Sequence, residues 1–218
     1  MGLPHLRATL AVLLCLAGWP VQAQRGMDRI NINGEFVTAV RAGQVQRARD
    51  LLAAGAQVDS RDRNGDSALN LAAARGNTEM ADMLLAARPD VNLANLAGVT
   101  PLMAASYAAT PDMVRKFLAA GARIEPIDRM KKNAAIYAAA QGCVDCLAEL
   151  LKAGTAVNAR FDADLTLLMW AAGAGHEAAA RLLVEQGADR SLRDDRGKTA
   201  AEIAREANHS ALAGWLQP

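Results

Sequence analysis

The chain has 218 residues with 24 basic and 23 acidic side chains, a formal net charge of +1 that excludes a general polyanion binder, which needs a basic stripe to release counterions. Aromatic residues make up only 4% while alanine is abundant, and a core short of large side chains favours close helix–helix approach over a sheet sandwich. The first predicted element is MGLPHLRATLAVLLCLAGWPVQA, in which a single cation, Arg7, precedes an apolar run from Ala8 to Trp19. Pro20 ends the run, and Val21 and Ala23 place small residues before a cleavage between Ala23 and Gln24, the layout of a secretory signal peptide. An uncleaved anchor or a buried N-terminal helix is the competing reading, but the run falls short of the roughly 20 apolar residues a bilayer span needs. Leu13 and Leu14 before Cys15 lack the small residue that lipidation requires. Export removes one arginine and no acid, and the remaining chain, which carries no further apolar run of membrane-crossing length, is expected to be soluble in the periplasm, or outside the cell where the host has no outer membrane.

After a lead segment over 24–33, the chain repeats itself. LLAAGAQVD at 51–59 returns as LLAARPDVN at 84–92, FLAAGARIE at 117–125, LLKAGTAVN at 150–158 and LLVEQGADRS at 182–191, so that Gly55, Arg88, Gly121, Gly154 and Gly187 are spaced by 33 residues. A second marker keeps that period: NGDSALNLAAARGN, AGVTPLMAASYAAT, KKNAAIYAAAQGC, ADLTLLMWAAGAGH and RGKTAAEIAREAN. Each unit reads as a turn, a short helix, a tight turn and a longer helix. Ser67, Thr100, Asn133, Thr166 and Thr199 are the expected N-caps of the short helices, with Pro101 just inside one of them. Gly76, Gly142 and Gly175 fall between helices, and in the third unit Thr110 is the expected cap with Pro111 at the first helical position. Met80, Met83, Leu84 and then Met113, Phe117, Leu118 give the longer helices an apolar side at spacings of three and four. One such pair cannot bury that side alone, so neighbouring units must stack.

These residues resemble the ankyrin repeat. Its T-P-L-H-x-A-A signature is nearest in TPLMAAS (100–106) and TLLMWAA (166–172), and its second-helix signature in GHEAAARLLVEQGA (175–188). The signature histidine is absent, replaced by Asn70, Met103, Ile136, Met169 and Glu202, which puts a local hydrogen bond in question. The resemblance covers about residues 34 to 216 and implies an all-α repeat solenoid of helix-turn-helix repeats with connecting hairpin loops. About four full repeats lie between two capping units, with units near 34–61, 62–94, 95–127, 128–160, 161–193 and 194–218.

The register bears on Cys143 and Cys146, the only cysteines after Cys15. Cys143 falls where the family places histidine, at the exposed edge, and Cys146 where the helix buries an aliphatic. An oxidising compartment favours pairing, and three readings stay open: an internal disulfide, two inert thiols, or a pair that exchanges disulfides with a partner. Haem attachment would need a histidine where Leu147 stands, and structural zinc would need four ligands where His176 and His209 are single. The repeat excludes a thioredoxin-like oxidoreductase.

The resemblance implies that a protein partner binds at the hairpin tips and the exposed side of the first helices. That selects Leu96, Ala97, Val99 and Tyr107 in one unit, Arg129, Met130, Lys131, Lys132 and Gln141 in the next, and Asp162, Leu165 and Trp170 in the one after. Val99, Leu165 and Trp170 have packing against adjacent repeats as their alternative role. Lys131 and Asp164 replace the tip glycine seen at Gly65, Gly98 and Gly197, which marks the 128–133 hairpin as strained or reshaped. The charged run DRSLRDDRGK (189–198) reads as a solvated tip. No nucleophile sits beside a base, Asp194 and Asp195 lie on a tip without a pocket, and no phosphate loop or metal set occurs, so neither enzyme activity nor a cofactor is expected. The function implied is an exported interaction scaffold; the resemblance extends to exported bacterial ankyrin proteins associated with catalases and oxidative-stress defence. A redox-linked binder using Cys143 and Cys146, or a self-associating structural protein, are the alternatives.

Overall fold

A computed structural model describes residues 32–217. The expected leader, its cleavage between Ala23 and Gln24, and most of the lead segment lie outside the described residues. Helices follow one another in pairs: α1 (32–41) with α2 (Val45–Ala53), α3 (Ala68–Ala74) with α4 (Thr78–Ala86), and α5 (Pro101–Tyr107) with α6 (Pro111–Ala119). Then come α7 (Ala134–Ala140) with α8 (Val144–Lys152), α9 (Leu167–Gly173) with α10 (Glu177–Glu185), and α11 (Ala200–Glu206) with α12 (Ser210–Leu216). First helices stack on first helices from α3 to α11, and second helices on second helices from α2 to α10, giving two layers of an all-α solenoid. No helix among the described residues is long and apolar enough to cross a membrane.

Local chemistry explains the helix starts. Ser67, Thr100, Asn133, Thr166 and Thr199 each accept a hydrogen bond from the backbone N–H three residues on, which satisfies a donor the helix leaves free. Thr110 behaves differently from its expectation. It occupies the N-cap of α6 but makes no side-chain cap, and its hydroxyl instead donates to the Ala105 carbonyl at 3.1 Å. Pro111 at the first helical position supplies the fixed φ that the start of α6 needs.

Between the helices of each pair, one residue takes a left-handed conformation in constant register: Gly43, Gly76, Ala109, Gly142, Gly175 and Asn208. Gly142 and Gly175 are needed there for a second reason, because a Cβ would run into the rings of His176 and His209 of the following unit. Gly43, 33 residues before Gly76, gives the first pair the same interhelical turn.

The core runs the length of the stack. Met80, Leu84, Met113, Phe117, Leu147, Leu150 and Leu183 are buried from the second-helix side, and Phe36, Leu69, Leu102, Ile136 and Leu167 from the first. Alanines such as Ala72, Ala105, Ala138 and Ala171 are buried where first helices meet, which lets the backbones approach closely. The missing signature histidine is compensated at two positions: Asn70 donates from Nδ2 to the Val99 carbonyl of the next unit at 2.8 Å, and Glu202 accepts from the Thr199 N–H and hydroxyl. Met103, Ile136 and Met169 cannot donate and serve as buried apolar side chains instead.

Candidate protein-interaction surface

The hairpin tips are built on a side chain that the repeat markers do not single out. Asp62, Asn95, Asp128 and Asp194 stand at one repeat position, and one oxygen of each accepts from the backbone N–H groups two and four residues on. Such a carboxylate or amide folds the tip as a ladder rung would. The fifth tip has Phe161 at this position, which cannot accept, and it closes as a 3₁₀ turn over Asp162–Asp164 with Ala163 and Asp164 both left-handed. Lys131 is left-handed too, at φ 57°, so the reshaped tip expected at 128–133 is a reshaping in residue type, while its Asp128-centred hydrogen bonding matches its neighbours.

The tips are joined in file. The Leu96 N–H donates to the Asn64 carbonyl at 3.0 Å, the Arg129 N–H to the Ala97 carbonyl at 2.9 Å, and the Asp195 N–H to the Ala163 carbonyl at 3.1 Å. Between the fourth and fifth tips the described residues make no such backbone bond, and Lys131 Nζ reaches Asp162 at 2.7 Å instead.

Beneath the tips, one repeat position on the first helices from α3 to α11 holds Leu71, Ala104, Tyr137, Trp170 and Ile203, and the first three of these face the groove. Tyr107 and Tyr137 meet edge to face with centroids 5.6 Å apart, and Lys132 Nζ lies 5.7 Å from the Tyr137 ring and 4.9 Å from the Trp170 ring. The Tyr137 hydroxyl donates to Asp128 Oδ2. Burial and then this carboxylate push the Tyr137 hydroxyl well above the ordinary tyrosine value. Leu71, Ala104, Tyr107 and Tyr137 line an apolar hollow of about 310 Å³.

Leu96, Tyr107 and Met130 are exposed by 60%, 59% and 68%. Ala97, Arg129, Lys131, Gln141 and Asp162 are exposed as well, whereas Val99, Lys132 and Leu165 are half-buried. Val99, Leu165 and Trp170 pack against the core, in keeping with their alternative role, and the buried Trp170 Nε1 has no hydrogen-bond partner. Ala97 is brought beside Arg129, Leu96 beside Asn64, and Lys131 beside Asp162; Gln141 closes α7 apart from them. The sequence reading passes over Ile127, which is 59% exposed and stands where Arg61, Arg160 and Arg193 stand in other units. An isoleucine at a position held by arginine in three of the five units was the available signal.

The cysteines sit elsewhere. Cys143 is the N-cap of α8, and its Sγ accepts from the Cys146 N–H at 3.2 Å. The two Sγ atoms are in contact at 2.05 Å. Cys143 is only 9% exposed and Cys146 is buried, so the position expected at the edge is largely covered. Among the described residues no group of three or more His, Cys, Asp or Glu could hold a metal ion.

Stacked helix pairs with file-joined hairpin tips define a helical-repeat solenoid of the kind that serves protein–protein recognition. The chain belongs to the ankyrin repeat family: the model for ankyrin repeats in three copies matches residues 36–128, 87–161 and 135–217. It is similar to YahD of Escherichia coli (strain K12), named as an ankyrin repeat protein, with 24% identity over 193 residues that cover 85% of this chain and 96% of that protein. Proteins of this family are typically non-enzymatic interaction modules.

Proposed function

We propose that the protein is a scaffold that binds a partner protein through its hairpin tips and the groove-facing side of its first helices. One observation carries this: the four exposed large hydrophobic side chains among the described residues, Leu96, Tyr107, Ile127 and Met130, belong to two adjacent units on that side. Apolar side chains concentrated on one surface of a packed solenoid are what a partner would cover. The pattern of residues 1–23 supports export to the periplasm, and resemblance to exported bacterial ankyrin proteins makes oxidative-stress defence the first setting in which to seek the partner. Capture from the native compartment with wild type and with Leu96→Asp/Met130→Asp tests the reading. A partner retained by the wild type and lost by the variant supports it; equal capture by both sinks it.

The sulfur contact between Cys143 and Cys146 favours a second reading, in which the pair is oxidised and trades its disulfide with a partner. The covered position of both residues weighs against an exchanging role and for a structural one. Capture with Cys146→Ala, eluted with and without reductant, separates the two: a protein released only by reductant marks exchange. A stable homodimer with no other captured protein would instead point to a self-associating structural role.

A further inference from the structure

The apolar hollow does not end at Leu71. Asp66, Leu71 and Ala74 form its wall and also line a second, open hollow of about 1030 Å³, so the two are one continuous groove from the first unit to Tyr137 of the fourth. The second hollow is lined by Arg41, Arg61, Arg63 and Arg75 against Asp62 and Asp66. Arg41 is paired with Asp62 at 2.6 Å, and Arg61 donates to the Ala94 carbonyl at 3.0 Å. Arg61, Arg63 and Arg75 hold no ion pair among the described residues. Asp66 accepts from Asn95 Nδ2 at 2.7 Å and stands at the junction of the two halves.

We infer that this groove takes an extended segment of the partner whose carboxylates lie in the arginine half and whose aromatic or large aliphatic side chain enters the hollow beside Tyr107 and Tyr137. The inference rests on the scaffold reading and adds the partner's chemistry. Guanidinium groups without a carboxylate of their own favour an acidic ligand by direct pairing. The rest of the groove supplies no cation that would continue the pairing until Lys132, and Asp66 repels a second charge at the junction. A uniformly charged polymer therefore fits worse than a chain that is acidic at one end and apolar at the other. The tyrosine pair gives the apolar end a rigid anchor at low entropic cost.

The test presents the protein with a displayed library of random twelve-residue peptides and measures selected peptides by fluorescence anisotropy. Expected sequences carry aspartate or glutamate on one flank and an aromatic or large aliphatic residue on the other. Arg63→Glu/Arg75→Glu should weaken them roughly tenfold or more at about 50 mM salt, with the difference shrinking at high salt. Arg63→Lys/Arg75→Lys should retain most of the binding, and Tyr107→Ala should cost roughly tenfold with the salt dependence unchanged. All three side chains are exposed, and circular dichroism melts close to wild type confirm that the variants fold. Peptides without acidic enrichment that still need Tyr107 would overturn the inference and leave the scaffold reading standing. Peptides indifferent to every variant, or no selected peptide at all, would count against both. A single-stranded oligonucleotide that displaces the peptides in an arginine-dependent way would assign the groove to nucleic acid and overturn the inference.

Discussion

The Asp128 carboxylate holds the fourth hairpin tip with one oxygen and the Tyr137 hydroxyl of α7 with the other. Tip and groove floor in that unit are thus one hydrogen-bonded piece. In Tyr107→Phe, Tyr137 is the single tyrosine left in the chain. Its absorbance titration should have a midpoint well above 10, because burial and the neighbouring carboxylate both disfavour the phenolate. Adding Asp128→Asn should bring the midpoint down, since the amide still folds the tip, as Asn95 does, but removes the charge. An unchanged midpoint would show that burial alone sets it.

Gly142 and Gly197 are both left-handed, yet they differ in their surroundings. A Cβ at Gly142 would lie 2.6 Å from the His176 ring, whereas at Gly197 it would meet nothing within 4 Å. Gly197→Ala should cost about 1 kcal/mol, the left-handed penalty alone. Gly142→Ala should cost at least about 2 kcal/mol, because the ring must also move and its 3.0 Å contact with the Ala140 carbonyl is disturbed. Urea denaturation compares the two; equal losses would remove the histidine from the account.

Arg88 is left-handed at φ 55°, where Gly55, Gly121, Gly154 and Gly187 stand in other units. Arg88→Gly should stabilise the protein by about 0.5–1 kcal/mol, the relief of strain less the entropy that glycine adds to the unfolded chain. A lower denaturation midpoint would show that the arginine makes a contribution outweighing its strain.

Acid should loosen the C-terminal units. Burial pushes the Asp194 carboxyl up, but the Lys198 N–H, the Arg196 guanidinium and the Arg196 N–H outweigh it and leave it below the ordinary value. The Thr199 N–H and hydroxyl hold Glu202 down in the same way. Groups depressed on folding contribute stability above their unfolded values, near 4, and lose it as pH falls through the folded ones. Trp215, held between the Arg181 and Arg190 guanidinium groups at 4.5 and 4.7 Å, reports on that end. In Trp19→Phe/Trp170→Phe, where Trp215 is the single tryptophan left, its fluorescence should change between about pH 4 and pH 2 before global unfolding by circular dichroism. Asp194→Asn should narrow the gap between the two transitions, and coincident transitions in the parent would refute the prediction.

Cys143 caps α8 through its sulfur, so its replacement should be judged against a hydroxyl. Cys143→Ser should retain more stability than Cys143→Ala, by about 1 kcal/mol, when both are compared under reducing conditions. Reduction of a Cys143–Cys146 disulfide should cost no more than about 2 kcal/mol, since the loop it closes is very short. Equal stability of the serine and alanine variants would show that the cap adds nothing.

The fold was legible because two markers recur in constant register, and stacking is the only way such pairs bury their apolar sides. Caps at Ser67, Thr100, Asn133, Thr166 and Thr199 were readable from residue type, while Thr110 was not, because its hydroxyl had the Ala105 carbonyl as a competing partner. The tip aspartates escaped notice since Phe161 interrupts their series and Asn95 varies it. Exposure of Leu96, Tyr107 and Met130 followed from register alone. The floor at Tyr137 and the arginine hollow depend on side chains from neighbouring units, which the pattern of a single unit does not carry.

The joint between the fourth and fifth tips gains a meaning from its chemistry. Elsewhere adjoining tips from the second to the sixth unit are pinned by a backbone bond; here an exposed lysine and aspartate hold on. Exposed ion pairs fade as electrolyte rises, and backbone bonds largely do not. The file of tips therefore has one joint whose hold weakens as salt rises, while the helices beneath it stay packed, and that joint separates the tyrosine-lined part of the groove from the C-terminal tips.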